Sequence, residues 1–385
     1  MSPTKRVAIL RTDLLPISET FVRDQVAALS GWQPVLVGRR EVEGGLETPG
    51  IPREIVPETS SPVMSAMRFW LSRPDPPLVE RLRALEVDLV HAHFGIDATD
   101  AWPSVRAAGL PMVVTLHGYD INIHRAWWEA GHQGLRRRFY PRRLLQMARE
   151  PGVRFVAVSR AIQRQAIAYG IPEGKILASP IGVDVARFTP GGLPMARRRR
   201  RIVFVGRMVE KKAPLLMVRV FAEVRKEVLD AELVMIGDGP LLAAARALAR
   251  TLAMPVVFLG PRPSQEVRDQ MNEARAFCLP SVTAANGDAE GFGMVLLEAQ
   301  ACGVPVVTSA RGGAEDGLVH GETGFACGEG ATRELAEALC SLLRDDVLAE
   351  NASRAAASFV RAAFDIRKGT ADLERIYDDS MSTPV

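Results

Sequence analysis

The sequence predicts an α/β protein of two doubly wound parallel-sheet domains with an interdomain cleft, and three observations carry that prediction. The chain has 385 residues, more than one ordinary core of roughly 100–200 residues accommodates. Short β-branched runs alternate with helical patterns along most of it, as crossover-connected parallel strands require. A stretch rich in Pro, Gly and Arg interrupts the alternation near the middle, after which it restarts.

In the first half, the apolar runs Val7 to Arg11, Pro34 to Val37, Asp88 to Ala92, Met112 to Leu116 and Phe155 to Val158 read as strands. Helical patterns separate them at Thr20 to Leu29, Pro77 to Leu85, Ala98 to Ala108 and Ser159 to Tyr169, with Ser159 as an N-cap. From Ser179 to Arg201 the chain carries Pro180, Gly182, Pro190, Gly191, Gly192 and Pro194 and then five arginines, the composition of an interdomain linker. The second half reads as strands at Arg201 to Val205, Glu232 to Ile236, Val256 to Leu259, Ala276 to Leu279 and Val304 to Thr308. Helices are expected at Pro214 to Val228, Pro240 to Leu252, Ser264 to Glu273 and Met294 to Ala301. The tail from Thr332 is helical in pattern, and its last helix, near Phe364 to Tyr377, is expected to return to the first domain. The expected domains are therefore 1–185, joined by a helix within 360–385, and 200–359.

Composition narrows the class. No window approaches the ~20 uninterrupted apolar residues of a membrane span, and the N-terminus lacks the layout of an export signal. Cys278, Cys302, Cys327 and Cys340 are widely spaced without a C-x-x-C pair, so reduced core thiols and a cytoplasmic location are expected. Net charge is +3, and the basicity is local. The stretch Gly134 to Arg149, with Arg136, Arg137, Arg138, Arg142 and Arg143, suits an anionic membrane surface as well as it suits a solvated helix face. Nucleic acid is not expected, because no aromatic residues interleave the arginines at stacking spacing.

In open parallel sheets, ligands bind beyond the carboxyl ends of the strands, which directs attention to five places. The run Glu290 to Glu298 comes first. Glu298 has Met294, Val295, Ala301 and Cys302 as helical neighbours, so a buried face is expected. A carboxylate there needs hydrogen-bond partners, which a ribose diol or a structural arginine could supply. Gly291 and Gly293 permit close approach of a diphosphate to a helix start. Glu290 lies eight residues earlier, ~12 Å if the segment is helical, about the span from ribose to hexose in a nucleotide-sugar. Second, Gly206 and Arg207, followed by Lys212, leave a strand end where two cations can clamp a diphosphate. Third, His117 in His-Gly-Tyr-Asp follows the strand ending at Leu116. Fourth, His91 and His93 share one strand face; a zinc site would need a third and fourth ligand, and none is evident unless His117 joins, so packing is expected there and no metal. Fifth, Ser18 or Thr20 could cap the helix after the first strand.

G-x-G-x-x-G after either opening strand, a Walker lysine loop, an Asp-x-Asp pair and a G-x-S-x-G elbow are all missing from the sequence. Dehydrogenase, phosphate-loop NTPase, metal-dependent sugar transferase and serine hydrolase readings lose their support. What is present resembles the family 4 retaining glycosyltransferases of the two-domain, Rossmann-like GT-B architecture. The resemblance rests on EGFGMVLLEAQACGVPVV, GRMVEKK, IGDGPL, FLGPRP, LPS at Leu279 to Ser281, GVDVARF at Gly182 to Phe188, and HGYD. ISETFVRDQVAAL and HAHFG are similar to the branch that builds exopolysaccharides of the colanic-acid type.

That resemblance implies roles. Glu298 would bind ribose, Glu290 the donor hexose, Arg207 and Lys212 the diphosphate, and His117 the hexose at the reacting centre. Backbone at Gly291, Phe292, Gly293, Met294 and Val295 would meet phosphate and sugar, with Gly206, Gly237, Arg262 and Thr20 lining the donor site. It implies transfer with retention and no cofactor or metal ion, from UDP-hexose or, second, GDP-mannose. The acceptor would be a glycan, a lipid-linked oligosaccharide or a small molecule; a nucleotide-sugar epimerase or hydrolase and a non-catalytic binder are the alternatives. Two departures stand out: Ser-Glu-Thr replaces a Gly-Gly pair after the first strand, and Ala213 replaces a glycine after the second lysine.

Overall fold

The computed structural model describes residues 5–58 and 61–382. The expected polar lead, Met1 to Thr4, and the last three residues of the expected 360–385 helix lie outside them. Two compact units emerge, one of residues 1–182 and 366–385, the other of residues 183–365.

Among its described residues the first unit holds seven strands: β1 Lys5–Leu14, β2 Trp32–Glu41, β3 Arg53–Ile55, β4 Leu89–His93, β5 Met112–Leu116, β6 Val153–Ala157 and β7 Ile176–Ala178. They lie in the order β3-β2-β1-β4-β5-β6-β7, all parallel. The order reverses between β1 and β4, which opens a crevice at their carboxyl ends. Val7, Ile9, Leu36, Leu89, Val113 and Val156 form the core beneath. The last helix, Ile366–Met381, completes that core with Leu373, Ile376 and Tyr377. Trp32 packs edge-on against Tyr377 and donates to Asp378 at 3.1 Å, so an apolar contact and a polar one fix the helix together.

The second unit repeats the plan with β8 Arg201–Val205, β9 Glu232–Ile236, β10 Val256–Gly260, β11 Ala276–Leu279, β12 Val306–Thr308 and β13 Gly324–Ala326. The order is β10-β9-β8-β11-β12-β13, again parallel, with its reversal between β8 and β11. The Pro/Gly/Arg-rich segment is not an open linker here. Phe188 and Met195 are buried, and Arg198 donates to the carbonyls of Leu193 and Ala274. Residues 183–200 belong to the second unit's own packing, because buried aromatic and thioether groups outweigh the local turn composition. All four cysteines are unpaired; Cys327 is partly exposed, whereas the other three are buried. Among the described residues no helix is long and apolar enough to cross a membrane.

Candidate active site

In the second unit the chemistry collects at the β8/β11 crevice. β8 ends at Val205, and the chain runs through Gly206 and Arg207 into a 3₁₀ turn, Glu210–Lys212. Lys212 folds back so that its methylenes lie 3.3 Å from where a Cβ on Gly206 would stand. A side chain at 206 would push the ammonium away. Lys212 Nζ instead reaches Glu290 Oε1 at 2.7 Å, and Ser281 Oγ, just past β11, donates to the same oxygen at 2.9 Å. Glu290 is 7% exposed. Burial pushes its carboxyl up, but Lys212, Lys211 and the two hydrogen bonds outweigh that and hold it below its ordinary value. Lys211 pairs with Asp288 at 3.0 Å, whose carboxyl burial raises in spite of that lysine. Val282 N–H donates to Lys211 C=O at 2.9 Å, stitching one wall of the crevice to the other.

Ala213 adopts φ 48°, ψ 52° and serves as N-cap of the helix Pro214–Glu227. The left-handed conformation costs an L-residue about 1–2 kcal/mol. This is the physical reason a glycine suits that position, and alanine bears the cost there.

Glu298 departs from expectation. It is partly exposed, as are Met294 and Val295, while Leu296, Leu297, Ala299, Gln300 and Ala301 of the same helix, Met294–Ala301, are buried. Positions 294, 295 and 298 form one stripe, so the carboxylate stands on the single open strip of a buried helix rather than on a core face. The helical spacing assumed for Glu290 and Glu298 also fails. The helix begins at Met294, and Gly293, at φ 80°, turns the chain before it. The Phe292 ring is buried against Phe364, with centroids 5.3 Å apart, which leaves its backbone as the part available to a ligand.

Gly237 answers to packing. A Cβ there would lie 2.0 Å from Gly206 O, because the loops after β8 and β9 are laced together by Met208 N–H to Asp238 C=O at 2.8 Å. Arg207 is exposed. Arg262, on the loop after β10, is exposed too and sits 3.7 Å from Glu266.

In the first unit the β1/β4 crevice holds a buried cluster that the sequence reading missed. Arg11 donates to Glu19 Oε2 at 2.9 Å, to His93 C=O at 3.2 Å and to Asp97. Thr12 Oγ1 donates to Asp97 at 2.9 Å. Neither Ser18 nor Thr20 caps the first helix: its N-cap is Glu19, without a side-chain cap bond, and Thr20 is the first helical residue. The Glu19 carboxylate is engaged by Arg11, so no capping group is left to compete. An arginine inside an otherwise apolar strand was the available signal.

His117 lies beside Phe21 and Phe94, with ring centroids at 4.9 and 4.5 Å. Its Nε2 is 3.0 Å from His93 Nδ1. Its loop is held by Asp120, fully buried, which accepts from the N–H groups of Gly95, His117 and Gly118 at 2.9, 3.1 and 3.0 Å. His91 sits between Tyr377 Oη at 2.6 Å and Thr115 Oγ1 at 2.7 Å, a core position. Among the described residues, no group of three or more His, Cys, Asp or Glu is placed to hold a metal ion.

Comparison with known proteins bears on both units. Residues 19–187 match the family model "Glycosyltransferase Family 4", and residues 199–345 match "Glycosyl transferases group 1". The chain is 33% identical over 190 residues to the putative colanic acid biosynthesis glycosyltransferase WcaL of Escherichia coli, covering 48% of this chain and 47% of that one. The alignment thus spans about half the length of that relative. It is 31% identical over 291 residues to the GDP-mannose-dependent alpha-(1-6)-phosphatidylinositol monomannoside mannosyltransferase of Mycolicibacterium smegmatis, covering 71% and 73%. The fold matches the crystal structure of Anabaena HepE in complex with UDP and glucose, with TM-score 0.79 and 19% identity over 97% of this chain and 99% of that one.

Proposed function

The chain belongs to glycosyltransferase family 4, and on that premise we propose that it is a glycosyltransferase of polysaccharide or glycolipid synthesis, moving a hexose from a nucleotide-sugar to a glycan or lipid-linked acceptor. Its architecture is GT-B, two doubly wound parallel-sheet domains. The observation that carries the proposal is the junction of Lys212, Glu290 and Ser281 at the β8/β11 strand ends, a cation held against a buried carboxylate where nucleotide phosphates are bound in such sheets.

In this reading Lys212 and the exposed Arg207 neutralise the donor diphosphate. Glu290 Oε1 holds Lys212 and Oε2 meets a hexose hydroxyl. Glu298, on the open stripe of its helix, takes the ribose diol, and the backbone from Gly291 to Val295 lines the phosphates. The His117 loop of the first unit serves the transferred hexose. The bond from the anomeric carbon to the β-phosphate oxygen breaks, the acceptor oxygen bonds to that carbon on the same face, and the acceptor proton passes to the departing phosphate. No group in this scheme requires a metal, so activity is expected to persist in excess EDTA; a strict divalent-ion requirement would remove the mechanism.

UDP-hexose and GDP-mannose are the donors to test. The first accords with the UDP bound by the structural neighbour and the second with the GDP-mannose dependence of the mycobacterial relative. Thermal stabilisation across a nucleotide-sugar panel identifies the donor, since a ligand at 100 times its Kd adds about 2.7 kcal/mol. Glu298→Gln is expected to weaken binding of that donor by at least about tenfold, as loss of a charge-assisted hydrogen bond implies. Unchanged affinity in this variant would overturn the ribose assignment. In this reading the reaction takes place on the cytoplasmic side, with the basic segment Arg136 to Arg143 proposed to face the membrane surface.

A further inference from the structure

The helix Pro62–Trp70 carries its apolar side chains outward. Val63 is 76% exposed and Trp70 45%, with Met64, Met67 and the following Leu71 also exposed, while Ser65 is buried and Phe69 half-buried. Residues 63, 67, 70 and 71 follow helical spacing, so these side chains form one stripe. A surface helix of a globular domain normally turns such a stripe to the core, and a contiguous apolar stripe left outside marks an interaction surface.

The neighbouring segment supplies the opposite chemistry. Arg143 stacks on the Phe69 ring at 3.7 Å, and Arg136 lies 5.0 Å from it while donating to Ser65 Oγ at 2.5 Å. Phe139 meets Trp70 edge-on at 4.7 Å. These contacts fasten the helix to the basic stretch, and Arg138 and Arg142 remain exposed beside the equally exposed Leu135. Residues 61–73 and 134–143 contain seven arginines and no Asp or Glu. Arg68 and Arg137 are neutralised by Asp75 and Asp100; the rest of the patch is cationic.

We propose that this face is a docking site for an anionic phospholipid bilayer, in which the 63/67/70/71 stripe enters the headgroup–acyl boundary and the arginines meet lipid phosphates. The charge pattern decides between occupants. Two copies joined through the same patch would set arginine against arginine, whereas a phosphate-rich surface complements it, and an indole at the rim suits the polar boundary of a bilayer. The basic stretch therefore acts as the frame of an inserted apolar helix and not as a basic helix lying alone.

The test is co-sedimentation of the full chain with phosphatidylcholine vesicles, with and without phosphatidylglycerol. Binding is expected to the anionic vesicles, to weaken with salt, and to be slight on neutral ones. Met67→Ser with Trp70→Ser is expected to lower the partition coefficient at least about tenfold, and Arg138→Ala and Arg142→Ala roughly fivefold each. Unchanged melting temperature and donor-induced stabilisation verify that the variants are folded. Equal binding to neutral and anionic vesicles, full binding by the Met67/Trp70 variant, or no vesicle binding would overturn the proposal; so would a wild-type dimer dissociated by these substitutions, which assigns the face to self-association. The assay uses neither donor nor acceptor, so its failure leaves the transferase reading standing, and the reverse.

Discussion

Lys212→Met is expected to lower turnover by about 10²–10³-fold with a smaller effect on donor affinity, the loss typical when one preorganised donor to a developing oxyanion is removed. Methionine keeps the unbranched stem that lies along Gly206 and deletes the charge. The substitution also strips Glu290 of its partner at 2.7 Å. Breaking a buried pair from one side costs about 3–5 kcal/mol, because the remaining charge is left in a poorly solvated place. Lost activity could therefore be mistaken for lost structure. The double variant Lys212→Met, Glu290→Gln separates the two: neutral glutamine still accepts from Ser281 and removes the stranded charge. It is expected to regain most of the melting temperature while turnover rises no higher than in the single variant, since Glu290 is itself assigned to the hexose. Recovery of turnover along with stability would show that Lys212 acts through the fold alone.

The fold is expected to lose stability steeply as pH falls below 7, through the first unit. Burial holds His91, His93 and His117 below the ordinary imidazole value, His91 at about 3, with Arg11 adding to the effect on the latter two. Each is neutral when folded and gains a proton in the unfolded chain near pH 6.5. A depressed folded-state pKa contributes stability that is complete above that value and disappears as pH falls toward the folded one. Asp120 works the other way. Burial raises it to about 6 against its backbone donors, so the folded state takes up a proton there and offsets part of the histidine effect. Between pH 7 and 5 the three histidines outweigh Asp120, so stability falls overall, and the raised Glu19 and Asp288 reduce the fall slightly. Urea midpoints across that range check it. His91→Gln, which can still bridge Tyr377 and Thr115, should remove about a third of the histidine slope; a stability profile flat from pH 7 to 5 would contradict the neutral-histidine assignment.

Strands 112–116, 201–205, 232–236 and 276–279 were legible residue for residue. Each is a largely apolar run on an interior strand of a parallel sheet, where both faces are mostly buried. Arg53–Ile55, Ile176–Ala178 and Gly324–Ala326 were not read. They are three-residue strands on sheet edges, β3, β7 and β13, too short to carry a period and partly solvated. The outward-facing helix Pro62–Trp70 escaped for a related reason: its apolar spacing is visible, but spacing does not say which way a stripe points.

The sequence by itself determined the α/β class, the two sheets and the family, because these follow from local alternation and from short contiguous motifs. Tertiary structure decided which charges meet. The pairs Lys212–Glu290 and Arg11–Asp97 join residues 78 and 86 positions apart, and the exposure of Glu298 depends on what packs against the other sides of its helix. Burial and pairing are set by chain folding over long separations, and no one-dimensional period encodes them.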